Sequence, residues 1–191
     1  MPATLKGVRV AFVVANEGVE QGELTEPWKA VESAGGTPEL IAPKSGKTQA
    51  MNHLDHGDTF DIARTTAEVT VDDYDALVLP GGVANPDQLR TDKPAVAFIA
   101  AMIDAGKPAA VICHGPWTLV EADRVNGRTL TSWPSIRTDI QNAGGHWVDK
   151  EVQVCDAGPN TLVSSRKPDD LPAFCDQMTE VFATKTRVNA S

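Results

Sequence analysis

Short apolar runs alternate with longer helix-like stretches along most of this chain. Each run is almost free of polar residues and ends in a turn or loop, as strands buried on both faces of a sheet do. The clearest runs are residues 8–15, 39–42, 76–79 and 109–113. Strand–helix alternation of this kind predicts an α/β fold, a three-layer sandwich in which a mainly parallel sheet carries helices on both faces.

The periodic segments between these runs predict helices bounded by glycine and proline. Helices are expected near residues 22–34, 94–105, 116–122 and 135–143, and a last one after 169–170 that runs to about residue 185. Residues 152–155 and 161–164 predict an antiparallel pair of strands. Residues 44–66 are polar and irregular, and are expected to form a hairpin or a loop. Because no repeat or linker divides the chain, residues 1–191 are interpreted as a single domain.

The net negative charge of the chain argues against negatively charged binding partners. The chain has 191 residues, of which 26 are acidic and 17 basic, and its formal net charge is -9 at pH 7. No basic cluster offsets this charge, so nucleic acid and anionic membranes are not expected as partners. The apolar runs are too short to span a bilayer, and the first residues do not have the layout of a signal peptide. A cytoplasmic location is therefore expected.

The cysteines and histidines argue against a structural metal site. The three cysteines are Cys113, Cys155 and Cys175, an odd number at wide spacing that fits a reducing compartment better than a disulfide framework. The four histidines and three cysteines show no CxxC or HExxH spacing, so no structural zinc site is expected. No other metal and no cofactor is indicated. Cys155 and Cys175 are interpreted as packing residues.

Candidate chemistry lies at the ends of three predicted strands. Residues 16–20, 81–82 and 113–116 each follow a buried run. Because reactive groups in open α/β sheets gather outside the carboxyl ends of the strands, these three segments are expected to converge. The convergence predicts one site built from all three.

Cys113 is the strongest candidate for a reactive group in that site. A buried strand turns into a helix within one or two residues there, in the sequence Cys-His-Gly-Pro. Such a turn projects its junction side chain from the top of the sheet, as in the nucleophile elbow of hydrolases. The helix amino terminus favours a thiolate. The alternative is a cysteine that is merely buried. His114 is expected to act as general base, the alternative being a histidine bonded within the turn.

The other two strand ends supply supporting groups. Glu20 is expected to touch the Cys113 sulfur with a carboxyl whose pKa is raised by burial and like charge; Glu17 and Glu23 compete for this role. The backbone N–H groups of Gly82 and His114 are expected to form an oxyanion hole. Gly81, Trp117 and Trp133 are expected to line the pocket, the alternative for the two tryptophans being a place in the core or at an interface.

Several segments resemble one known family over nearly the whole chain. The segments Ala-Asn-Glu-Gly-Val-Glu, Leu-Pro-Gly-Gly, Ile-Cys-His-Gly-Pro and Gly-Arg-Thr-Leu-Thr resemble the PfpI-type intracellular protease (ThiJ/PfpI) family. That family belongs to the class I glutamine amidotransferase-like superfamily, whose fold is a flavodoxin-like sandwich. The resemblance implies Cys113 as nucleophile, Glu20 as the carboxyl on its sulfur, and a homodimer or larger oligomer. It also implies an acid from a neighbouring subunit beside His114, for which Asp87 is the candidate although the family residue is a glutamate.

Two functions of different classes follow. The first is a stress-related cysteine hydrolase acting on a small peptide or on a glycated or carbonyl-bearing compound, since family members are assigned peptidase, deglycase and glyoxalase activities. The second is an oxidative-stress protein in which Cys113 is oxidised to a sulfinate that Glu20 stabilises. The second needs no Asp87. Glutamine amidotransfer is set aside, because no His-x-Glu follows the last histidine, His146.

Overall fold

A seven-stranded sheet forms the centre of the computed structural model, which describes residues 4–188. Its strands lie in the order β11-β12-β8-β7-β1-β3-β6. Of these, β11 pairs antiparallel with β12, and every other neighbouring pair is parallel. The expected fold class, a mainly parallel sheet with helices around it, is confirmed. The strands within the described range are β1 Arg9–Val13, β2 Glu17–Glu20, β3 Thr37–Ala42, β4 Lys47–Asn52, β5 Asp55–Asp61, β6 Arg64–Thr65, β7 Ala76–Leu79, β8 Ala109–Ile112, β9 Thr129–Leu130, β10 His146–Trp147, β11 Val152–Cys155 and β12 Leu162–Ser165.

Helices cover both faces of this sheet. Side chains that alternate along β1 point to opposite faces, so Phe12 joins one hydrophobic cluster and Val13 the other. The cluster around Phe12 includes residues of α1 and α6, and the cluster around Val13 includes residues of α3, α4 and α5. The helices are α1 Gln21–Ser33, α2 Ala84–Leu89, α3 Lys93–Asp104, α4 Pro116–Glu121, α5 Arg137–Asn142 and α6 Leu171–Val188.

Several elements were not predicted from the sequence, among them the strands β9 and β10, which pair in parallel as a separate two-stranded sheet. The segment after β1 forms strand β2 instead of a plain loop, and the segment after β7 forms the short helix α2. The irregular segment after β3 forms the hairpin β4–β5, and β4 also pairs in parallel with β2. A three-stranded sheet therefore stands at the carboxyl edge of the central sheet. In residues 4–188, no group of three or more His, Cys, Asp or Glu side chains is placed to hold a metal ion. No helix of that range has the length and hydropathy needed to cross a bilayer.

Asn85 joins the ends of β1 and β7. It is fully buried, its side-chain oxygen accepts the Ala15 N–H at 2.7 Å, and its side-chain nitrogen donates to the carbonyls of Pro80 and Gly81 at 3.1 and 3.0 Å. The loops after the two strands contact closely, because a Cβ on Gly18 would lie 2.6 Å from the Cβ of Ala84. One amide side chain thus fixes the spacing of two of the three strand ends.

We expect Asn85→Ala to lower the free energy of unfolding by about 2–4 kcal/mol, because three buried hydrogen bonds are lost and their backbone partners stay buried. Urea unfolding measures the change. Gln88→Ala, at an exposed position of the same helix, is the control and should stay within about 0.5 kcal/mol of the wild type. A loss below about 1 kcal/mol for Asn85→Ala would contradict the assigned role of this side chain.

Candidate active site

Cys113 occupies a strained turn between β8 and α4. Its φ is +62°, in the left-handed region that residues other than glycine seldom adopt. The Gly115 N–H returns to the carbonyl of Ile112 at 2.9 Å, which closes the turn. A Cβ on Gly115 would lie 2.7 Å from the Leu79 carbonyl oxygen, so only glycine fits there. The predicted sharp junction is confirmed, and the Cys113 thiol lies at the carboxyl edge of the sheet.

The His114 ring turns back toward the thiol of the preceding residue. Its Nδ1 lies 3.2 Å from Cys113 Sγ, and its Nε2 lies 3.3 Å from Ser135 Oγ. The ring is stacked on Trp133, with 5.8 Å between centroids, and meets Trp117 edge-on at 5.3 Å. Burial lowers the pKa of His114, so the imidazole is neutral at pH 7. A neutral ring with its proton on Nε2 donates to Ser135 and leaves Nδ1 free to accept the thiol proton.

The carboxyl that touches the Cys113 sulfur belongs to Glu23, and the expectation for Glu20 is wrong. Glu23 lies in the first turn of α1, is fully buried, packs beside Cys113 and accepts the Gly81 N–H at 2.9 Å. Glu20 ends β2, and its side chain turns toward the hairpin, where Oε2 accepts the His53 N–H at 3.1 Å. The physical reason is the helix start at residue 21, which points the side chain of residue 23 inward and that of residue 20 away.

Burial determines the protonation state of Glu23. It raises the pKa from the ordinary 4.5 to about 8, and the nearby charge of Glu20 adds to the increase, while hydrogen bonds from Cys113 and from backbone N–H groups oppose it. Glu23 is therefore protonated at pH 7. Its Oε1 has no hydrogen-bond partner within the described residues. A protonated carboxyl in this position is a donor to the sulfur.

The protonation of Cys113 is coupled to that of Glu23. Burial raises the pKa of the thiol, and a charged Glu23 raises it further, whereas the backbone N–H groups of Gly82 and His114 lower it. The repulsion exists only when Glu23 is ionised, so the thiolate and the carboxylate disfavour one another. A thiolate at Cys113 consequently requires a protonated Glu23. The same two backbone N–H groups are those expected for the oxyanion hole, and both lie near the sulfur.

A cavity of about 360 Å³ opens over the thiol. It is lined by Cys113, His114, Glu20, Glu23, Gly82, Trp133 and side chains of the β4–β5 hairpin. Trp133 thus lies where it was expected, but Gly81 and Trp117 do not line the cavity. The Gly81 N–H donates a hydrogen bond to Glu23. Trp117 lies behind the His114 ring, and its Nε1–H donates a hydrogen bond to Asp139. Both therefore support the site from outside the cavity.

Asp87 does not reach this cavity in its own chain. It lies on the exposed face of α2, and the outer nitrogen of His114 meets Ser135. Any contact between Asp87 and His114 requires a second subunit. Two groups of the site were not predicted from the sequence, Ser135 and the hairpin tip (His53 and Leu54), whereas Glu23 was predicted only as an alternative to Glu20. Once the start of α1 at residue 21 is known, the spacing of Glu23 to Pro27 and Val31 places it on the inward face of that helix.

The sequence matches the model of the DJ-1/PfpI family over residues 8–181. The chain belongs to the DJ-1/PfpI family. Among its relatives, General stress protein 18 of Bacillus subtilis is 43% identical over 88% of this chain and 94% of its own. Protein/nucleic acid deglycase 2 of Escherichia coli is 40% identical over 87% and 92% of the two chains. Deglycase PfpI of Pyrococcus furiosus is 37% identical over 92% and 99%.

Solved structures of this family share the fold. A ThiJ/PfpI domain protein from Brachyspira murdochii superposes with a TM-score of 0.80 at 20% identity, over 96% of this chain and 97% of that one. DJ-1 of Schizosaccharomyces pombe gives a TM-score of 0.78 at 22% identity, over 96% of each chain. These similarities extend the DJ-1/PfpI assignment to the three-dimensional fold.

The raised pKa of Glu23 predicts a pH-dependent difference in stability between the wild type and Glu23→Gln. The folded wild type keeps a proton that the unfolded chain loses above pH 4.5. Its stability relative to the variant should therefore be highest near pH 4 and fall by at most ~1.4 kcal/mol per pH unit until about pH 8. Urea unfolding of both proteins at about pH 5 and about pH 8 measures this. A pH-independent difference would mean that Glu23 is ionised throughout.

Proposed function

We propose that the protein is a cysteine hydrolase of the deglycase type, with Cys113 as nucleophile and His114 as its acid and base. The observation that carries this proposal is the 3.2 Å contact between Cys113 Sγ and His114 Nδ1 at the base of an open cavity. Nucleophile and base within hydrogen-bond reach, with a third group on the base, form the general arrangement for nucleophilic catalysis. Here the third group is Ser135. The names of two relatives, both called deglycases, point to the same chemistry.

The reaction proceeds in two balanced halves. The thiol proton moves to His114, and the sulfur forms a bond to the carbonyl carbon while the carbonyl π electrons move to oxygen. The N–H groups of Gly82 and His114 stabilise that oxygen. Where the attacked carbon carries the nitrogen, as in a peptide or another N-acyl amine, the oxyanion electrons re-form the carbonyl, the carbon–nitrogen bond breaks, and the leaving amine takes the proton from His114. In the second half, water attacks the thioester and gives a proton to His114. The carbon–sulfur bond breaks, and the sulfur recovers that proton.

The size of the cavity favours a small substrate. About 360 Å³ is near the lower end of ligand pockets, and the hairpin occupies one side of the opening. A small amine–carbonyl adduct or a short peptide fits this space, whereas a folded protein chain does not. We also propose that a second subunit brings Asp87 to His114, as the family resemblance implies.

We expect Cys113→Ser to lower kcat/KM by at least about 10³-fold, because the hydroxyl is a far weaker nucleophile than the thiolate. The assay follows release of amine from a glycated amino acid and, in parallel, from a short peptide anilide. Cys175→Ser is the control, since that thiol is half-buried and lies outside the cavity. Hydrolysis that persists in Cys113→Ser would exclude the mechanism.

The proposed contact between His114 and Asp87 of a second subunit is tested by Asp87→Asn in the same assay. If the Asp87 carboxylate orients His114, its loss should lower kcat with little change in KM. Unchanged turnover would leave Ser135 as the partner of His114 and remove Asp87 from the mechanism.

A second function is favoured by one specific observation, the protonated Glu23 beside a buried thiol. A thiolate attacks hydrogen peroxide to give a sulfenate and water, and the sulfenate reacts with a second peroxide to give the sulfinate and another water. The Glu23 O–H and the N–H groups of Gly82 and His114 lie near the sulfur and would donate to the sulfinate oxygens. We propose that this chemistry makes Cys113 sensitive to oxidants, and it needs no second subunit.

The oxidation proposal predicts different outcomes for two substitutions of Glu23. Glu23→Leu removes the donor and should give several-fold less Cys113 sulfinate at a fixed peroxide dose, whereas Glu23→Gln keeps an N–H donor and should resemble the wild type. Mass spectrometry of the Cys113 peptide measures the gain of two oxygen atoms. Equal sulfinate yields in all three proteins would contradict stabilisation by Glu23.

A further inference from the structure

The β4–β5 hairpin forms the side of the cavity that faces the thiol. Met51, His53 and Leu54 line the same cavity as Cys113. His53 has φ +59°, a left-handed conformation that is unfavourable for a residue other than glycine. The hydrogen bond from its N–H to Glu20 Oε2 holds this strained tip in place. The hairpin tip and Glu20 therefore form one unit at the rim.

Glu20 has acceptor capacity that its own chain does not fill. Its side chain is only 13% exposed, and among residues 4–188 the His53 N–H is the one hydrogen-bond donor to it. The other oxygen, Oε1, lies 3.9 Å from the nearest ring nitrogen of His53, beyond hydrogen-bond distance. A carboxylate offers about four acceptor positions. The remaining ones are available to a group inside the cavity.

The charge of Glu20 dominates the cavity at neutral pH. Within the described part of the chain, none of the lining residues is Lys or Arg. His114 is neutral because burial lowers its pKa, and Glu23 is protonated because burial raises its own. His53 is mostly exposed at the rim. Charges elsewhere on the surface are screened beyond about 8 Å at physiological ionic strength, whereas a carboxylate inside a partly closed cavity is screened much less.

We propose that Glu20 is a specificity-determining residue that selects substrates carrying a positively charged group beside the carbonyl attacked by Cys113. An ammonium or guanidinium group would donate to the free oxygen of Glu20, and a substrate carboxylate would be repelled. The substrate class is thereby narrowed to small cationic carbonyl compounds. This inference rests on the proposed function only in taking Cys113 as the group that reacts.

The test uses the thiol itself, so that it needs no turnover. Cys113 is treated separately with three methanethiosulfonates that carry a trimethylammonium, a sulfonate or no charge. In each case the thiolate forms a mixed disulfide and methanesulfinate leaves, and peptide mass spectrometry follows the rate at Cys113. For each protein, the rate constant with the cationic reagent is divided by the rate constant with the anionic reagent. This ratio is then divided by the corresponding ratio for 2-mercaptoethanol in solution, and the normalised ratio reports the electrostatic potential in the cavity. The neutral reagent is the reference for general thiol reactivity within each variant.

We expect a normalised ratio of about tenfold or more in the wild type, falling roughly tenfold in Glu20→Gln, since reagents of opposite charge respond oppositely to one carboxylate. Glu20→Asp keeps the charge and should keep most of the ratio. Glu17→Gln is the matched control, because Glu17 lies on the same strand, is exposed and does not line the cavity. It makes the same change in net charge and should alter the ratio less than twofold.

Three other outcomes would contradict the role of Glu20, the proposed function or both. An unchanged ratio in Glu20→Gln would overturn the role of Glu20 and leave the proposed function in place. An equal fall in Glu17→Gln would assign the effect to overall charge and would overturn the inference too. A Cys113 that does not react with the neutral reagent, in a protein whose Cys175 does, would remove the proposed function and this inference with it.

Discussion

Parallel pairing of β1, β7 and β8 is the constraint on which the whole site depends. Because the three strands run the same way in adjacent positions, their carboxyl ends meet at one edge of the sheet. The turn at Cys113, the Gly81-Gly82 turn and the segment that leads into α1 lie together there. Asn85 fixes two of these ends with three buried hydrogen bonds, so its contribution to stability is also a contribution to the spacing of the site.

The close approach of Glu23 and Cys113 controls which of the two groups carries a proton at this site. A Cβ on Gly81 would collide with Glu23 Oε2 and with Cys113, which shows how little space separates the two elements. Burial leaves no water to stabilise two negative charges, so the carboxyl keeps its proton whenever the sulfur ionises. Hydrolysis and oxidation both begin from the thiolate and both benefit from an O–H donor beside it. The resting geometry therefore supports either proposal, and the outer groups Ser135 and Asp87 are what separate them.

The sequence allowed the fold to be predicted well but the site only in part. Buried strands such as β7 and β8 are short apolar runs that end in glycine or proline, and this local pattern is enough to place them and Cys113. Glu20 and Glu23 could not be separated, because the choice depends on the residue at which β2 gives way to α1. That residue is set by the pairing of β2 with β4, a tertiary contact with no local signal. The hairpin tip was missed for the same reason, since its position depends on packing and not on periodicity.

Two glutamates three residues apart have opposite roles because their surroundings differ. Glu23 points inward from a helix, is fully buried and stays neutral, so it donates. Glu20 ends a strand at the cavity wall and accepts one N–H, that of His53. The charge of Glu20 helps to raise the pKa of Glu23, so a cation bound to Glu20 would offset part of the increase and make the Glu23 proton easier to lose. Substrate charge and sulfur protonation are thereby coupled through one carboxylate. A cationic substrate would act on the protonation of the Glu23–Cys113 pair as well as filling the cavity, and an anionic molecule could not produce this effect.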